Sequence, residues 1–162
     1  MALHHTVPKG LCAAFYKGNR PGIDGFYNRL GRYLDHGSYS HTELVFSNGL
    51  SASASLLDGG VRFKEIGFSS VGNWDFMLIP DPTGDIEAKA FRWFVEHEGK
   101  AYDWLGNLRF MTNMARDDPE KWFCSESLMS SQGFPEAFRH GPSGAASTMQ
   151  FYYKTPIIEV SA

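Results

Sequence analysis

The sequence predicts an antiparallel sheet flanked by separate helices, forming a single domain over residues 1–162. Three observations lead there. Residues 42–66 hold a succession of short strand-forming runs, joined by Ser47-Asn48-Gly49 and Asp58-Gly59-Gly60, which have the chemistry of hairpin turns. Apolar residues at helical spacing occur outside that region, not between its strands. A chain of 162 residues with 43% hydrophobic and 15% aromatic content fills one core, and no second domain is expected.

Taken in order, the apolar run 11–16 predicts a buried strand that stops at the glycines and proline of residues 17–22. Ile23, Phe26, Tyr27, Leu30 and Leu34 then recur with helical period, and Asp35-His36-Gly37 supplies a stop. The meander follows as strands at 42–46, 50–56 and 61–66. Residues 74–79 form a further strand, ended by Pro80-Asp81-Pro82 because proline cannot donate to a ladder. Thr83 is the expected N-cap of the next helix, with Asp85 and Glu87 in its first turn where the dipole favours negative charge. Ile86, Ala90, Trp93, Phe94 and His97 line one side of that helix, and Gly99 ends it. Asp118-Pro119 resets the chain, and a helix opening at Cys124 is packed by Leu128 and Met129 as far as Gly133. Residues 141–147 are expected as a small-residue loop, and 151–160 as a last strand.

Charge and composition exclude several function classes. A net charge of −3, with aromatics not interleaved among basic runs, gives no broad attraction for a phosphate backbone, so nucleic acid is not an expected partner. No apolar run approaches the ~18 residues that span a bilayer, so no membrane-spanning segment is expected. The first nine residues lack the basic-then-apolar pattern of a secretory signal. Cys12 and Cys124 allow at most one disulfide, and forming it would consume the thiol that carries the chemistry below. A reducing, cytoplasmic compartment is the simpler expectation.

That chemistry rests on two stretches, Ser40-His41-Thr42-Glu43-Leu44 and Trp122-Phe123-Cys124-Ser125-Glu126. Strand side chains alternate faces, so His41 and Glu43 share one. Cys124 stands where an extended lead-in turns into a helix, and a helix N-terminus with a nearby imidazole favours a thiolate nucleophile. His41 is the natural base, because an imidazole titrates near neutrality and can return the proton to a leaving group. A lone cysteine is more often a small buried hydrophobe, and a lone strand histidine more often bonds a carbonyl. The polar neighbours Ser125, Glu126 and Ser127 argue for the reactive alternative. Glu43 or Ser53, on the next strand, is the group expected to position the ring. Tyr102 is a candidate oxyanion donor or substrate contact, with a packed aromatic as the plain alternative, and Asp103 beside it is a further candidate to reach the site.

The order of these stretches resembles the circularly permuted papain-like group of the NlpC/P60 superfamily, in particular its YiiX/YaeF type. The matching residues are Gly37-Ser38-Tyr39-Ser40-His41 followed by Leu44-Val45, Gly59-Gly60-Val61, Gly99-Lys100-Ala101-Tyr102-Asp103 and Phe123-Cys124-Ser125-Glu126. The resemblance implies an α+β papain-like fold with the nucleophile opening a helix that packs on an antiparallel sheet. It implies hydrolysis of an amide, ester or thioester through an acyl-thioenzyme, with Cys124 as nucleophile and His41 as general base. The family's third polar residue comes from the strand after the histidine, where this chain has only Ser51, Ser53 and Ser55; the third role stays open between Glu43 and Ser53.

The leading expectation is therefore a cofactor-independent thiol hydrolase acting on a small peptide, a cell-wall fragment or an acylated molecule. A catalytically inactive ligand-binding module on the same fold is the alternative. A metal site built on His41 and Glu43 is weaker, since no second close-set His/Cys pair accompanies them.

Overall fold

The computed structural model describes residues 7–18, 37–68, 71–103 and 120–160. The helix expected from Ile23 to Leu34, and the residues Trp104, Phe110, Asp118 and Pro119, lie outside them. The described residues are of α+β class. Seven strands, β1 (Cys12–Tyr16), β2 (His41–Val45), β3 (Leu50–Ser55), β4 (Gly60–Glu65), β5 (Trp74–Leu78), β6 (Ala101–Tyr102) and β7 (Lys121–Trp122), make one sheet in the order β5-β1-β2-β3-β4-β6-β7. All neighbours are antiparallel except β6 and β7. Among the described residues three α-helices accompany the sheet: α1 (Asp85–His97), α2 (Cys124–Ser131) and α3 (Pro142–Tyr153).

Period-two alternation divides the sheet into two faces. On one, Phe15, Leu44, Phe46 and Met77 bury themselves against Ala90 and Phe94 of α1, Leu128 and Met129 of α2, and Met149 of α3. Ala52 and Ala54 of β3 join this core, and their small side chains let α2 lie close over β2 and β3. On the other face Cys12, Ala14, Tyr16 and Val45 pack with Trp74, Phe76, Phe68 and Val160. Both faces are covered, which is why β1 reads as an unbroken apolar run and all five of its residues are buried.

Gly60 opens β4 at φ 157°, and a Cβ there would stand 2.0 Å from the Lys100 carbonyl oxygen. Only glycine lets β4 receive β6 at the Gly60–Ala101 pair. The second glycine of the Asp58-Gly59-Gly60 turn is thus required by close backbone approach as well as by the turn.

Three expectations are corrected. Thr83 does not cap α1: Gly84 takes the N-cap position at φ 79°, and Asp81 accepts the Ile86 and Glu87 N–H groups at 3.2 and 2.7 Å. A carboxylate three positions before the cap reaches back over the first turn because the left-handed glycine folds the lead-in across it. Residues 141–147 are not a loop but the start of α3, with Pro142 in the first turn where its missing N–H costs nothing. Ala145, Ala146 and Met149 provide the buried face that outweighs the poor helix propensity of the glycine and serines. Consequently residues 151–160 do not form a strand. Their first part completes α3, and only Ile158 bridges to the sheet, at Phe76.

Candidate active site

Cys124 is the first residue of α2, preceded by Phe123 in extended conformation (φ −115°, ψ 169°). The lead-in is held by β7, whose Trp122 carbonyl accepts the Asp103 N–H at 2.9 Å. Glu126 turns back to accept the Phe123 N–H at 3.3 Å, closing the helix start from the third position of the first turn. The polar residues after the cysteine are not solvated: Ser125, Glu126 and Ser127 are all buried, each with its own hydrogen bond. Ser125 donates to the His140 carbonyl at 2.7 Å, and Ser127 donates to the Cys124 carbonyl at 2.9 Å.

The ladder between β2 and β3 pairs Leu44 with Ala52 and Val45 with Ser51. Toward the His41 end, side chains take over its bonds. The Thr42 carbonyl accepts from the Ser53 hydroxyl at 2.7 Å, and the Ala54 N–H donates to the Ser127 hydroxyl at 3.1 Å. The first turn of α2 is in this way tied directly to β3.

His41 is the first residue of β2, and its Nε2 lies 2.8 Å from Glu43 Oε1. The Cys124 side chain lies near enough to the same imidazole to act on its ionisation, so the cysteine and histidine come together at the sheet end. With Nε2 committed to Glu43, Nδ1 is the ring nitrogen left to face the sulfur. Burial pulls the His41 pKa down, but the charge and hydrogen bond of Cys124, followed by those of Glu43, outweigh it and push it from 6.5 up to about 9.

Glu43 is 1% exposed, and two neighbours keep it ionised there. Arg62 of β4 grips it with both arms, Nη1 to Oε2 at 2.7 Å and Nη2 to Oε1 at 2.6 Å. Burial raises the carboxyl pKa, while the hydrogen bonds from Arg62 and His41 bring it below its ordinary value. Arg62 is itself held by Asp58, Nε to Oδ2 at 2.9 Å, and Lys64 donates to the other oxygen of Asp58 at 2.7 Å.

Cys124, His41 and Glu43 are therefore brought together. Ser53 is not part of that chain, because its hydroxyl is spent on the Thr42 and Ala54 carbonyls; its role is to complete the sheet. Tyr102 lies on β6 with its ring against the main core, as in the packed-aromatic alternative, and Asp103 is buried beside it. Sequence reasoning missed Arg62. Nothing in Val61-Arg62-Phe63-Lys64 separates a buried guanidinium from the polar face of an amphipathic strand. Cys12 is fully buried, and burial pushes its thiol up to about 12. Among the described residues, no group of three or more His, Cys, Asp or Glu side chains could hold a metal ion, and no helix is long and apolar enough to cross a membrane.

The two shifts dictate how stability responds to pH. His41 has a raised folded pKa, so its contribution is complete below 6.5 and is lost as pH rises through about 9. Glu43 has a lowered one, so its contribution is present above 4.5 and is lost as pH falls through the folded value. Urea midpoints should be highest between about pH 4.5 and 6.5 and decline from about 6.5 to about 9, and that decline should flatten in His41→Gln.

No family model matches the chain, and no curated protein matches it.

Proposed function

We propose that this protein is a thiol hydrolase of the permuted papain-like type, cleaving an amide, ester or thioester bond through an acyl-thioenzyme. The observation that carries the reading is the single chain of contacts Cys124–His41–Glu43, with the cysteine at a helix start and the histidine on a strand that precedes it in sequence. The same order of histidine strand and cysteine helix, on an antiparallel sheet, underlies the likeness to the YiiX/YaeF type.

In the proposed reaction the Cys124 sulfur attacks the substrate carbonyl carbon while His41 holds the proton. The N–H of Cys124, at the positive end of the α2 dipole, is the proposed donor to the developing oxyanion. His41 passes its proton to the leaving amine, alcohol or thiol, whose bond to the carbonyl carbon breaks. Water, giving its proton to His41, then attacks the thioester and releases the acid and the free cysteine. Glu43 keeps the ring oriented throughout, as a positioning residue.

The β3–β4 turn lies at the same end of the sheet as His41, because β2 and β3 run antiparallel. It exposes Leu56 and Leu57, and this apolar rim suits an acylated substrate better than a strongly charged one.

The test is acyl trapping. Incubation with a series of activated acyl esters should give a burst of one equivalent of leaving group and a matching mass increase on the peptide containing Cys124. Cys124→Ala should give neither. The 3% exposure of Cys124 favours a second reading, a ligand-binding module that has kept the fold without the chemistry. Wild-type protein that forms no adduct, with the same biological activity in Cys124→Ser, would establish that reading instead.

A further inference from the structure

We propose that Arg62 is a positioning residue for this site, acting through Glu43 to hold the His41 ring with Nδ1 toward the Cys124 sulfur. The inference rests on the hydrolase reading and extends it to a residue two strands away from the histidine.

Geometry carries the argument. A carboxylate free to rotate could meet His41 in several orientations, but Glu43 is fixed at both oxygens by the two arms of one planar guanidinium, at 2.6 and 2.7 Å. Oε1 is shared, receiving both Arg62 Nη2 and His41 Nε2. The position of that one oxygen therefore sets the position of the ring. Arg62 is held in turn by Asp58 through its remaining nitrogen, Nε. Its fork is thereby fixed on both sides, which a lysine in its place could not reproduce.

Other groups facing the pair do not duplicate this role. Tyr16 of β1 stands directly opposite His41 in register and packs on Trp74. Ser53 of β3 is bonded to carbonyls, and Lys64 of β4 is bonded to Asp58. Cys124 of α2 meets the ring, not the carboxylate. Among the described residues, Arg62 is the cation that contacts Glu43 besides the histidine itself.

The test is the pH profile of iodoacetamide capture at Cys124 in the full chain, followed by mass spectrometry of its peptide. With Arg62→Gln, Glu43 loses the cation that keeps it ionised in a buried position, and it takes up a proton at higher pH. The acid-side midpoint of the profile should move up by about one unit or more, making capture near pH 5 about tenfold slower. Arg62→Lys should recover part of the shift, since one donor replaces two. A role in folding alone would lower the urea midpoint of Arg62→Gln and leave the profile of the folded protein where it was. An unchanged profile, or one moved to lower pH, overturns the proposal. Should Arg62→Gln fail to fold, Arg62→Lys supplies the same comparison with the wild type. Failure of the hydrolase reading would look different, as wild-type capture that does not depend on His41.

Discussion

Replacing His41 by alanine should slow iodoacetamide capture of Cys124 by about 100-fold or more at neutral pH. The imidazole is the group that meets the sulfur, and removing the ring leaves Arg62 still paired with Glu43, so the buried carboxylate remains satisfied and the fold should persist. Cys12 provides the internal reference. It is fully buried, its thiol is pushed up to about 12, and it should label slowly in both proteins. Equal, slow labelling of the two cysteines in the wild type would remove the nucleophile from the proposal.

Glu43→Leu should lower folding stability by about 3–5 kcal/mol, because it strips a partly buried guanidinium of its main partner. Asp58 remains bonded to Arg62 Nε, which places the expected loss toward the lower end of that range. The double variant Glu43→Leu/Arg62→Met should recover most of the stability, since two apolar side chains can fill the space of a buried ion pair. Urea unfolding measures both changes. The reactivity of Cys124 should not recover in the double variant, because the ring would have lost its acceptor. Stability and reactivity would thus separate at the same two positions.

The parts of this molecule that were legible in the sequence are those governed by local period. β1 followed from an unbroken apolar run, β2 to β4 from strand-forming runs joined at glycine-containing turns, β5 from a run ended by prolines, and α1 from its apolar face. The pairing of His41 with Glu43 followed from the two-residue repeat of a strand, and the start of α2 at Cys124 from the extended Trp122-Phe123 lead-in. Features that depend on distant segments were not legible. Asp81 caps α1 only because Gly84 turns left-handed, and α3 forms from small residues because the core shared with α2 gives Ala145 and Met149 a place to bury. Arg62 is separated from Glu43 by the whole of β3, and the strand pattern around it is that of any half-exposed strand. Ser53 shares the polar stripe of Ser51 and Ser55, and only the missing ladder bond at Thr42 shows what its hydroxyl does.

The Ser127 hydroxyl stands in for a strand at Ala54, so the helix that begins with the cysteine is stitched into the sheet by its own side chain. Lifting that helix would leave the buried Ala54 N–H without its acceptor and uncover the core beneath Leu128 and Met129. The sulfur is therefore carried on a helix whose release costs both a buried hydrogen bond and core burial, which couples its aim to the packing of the sheet.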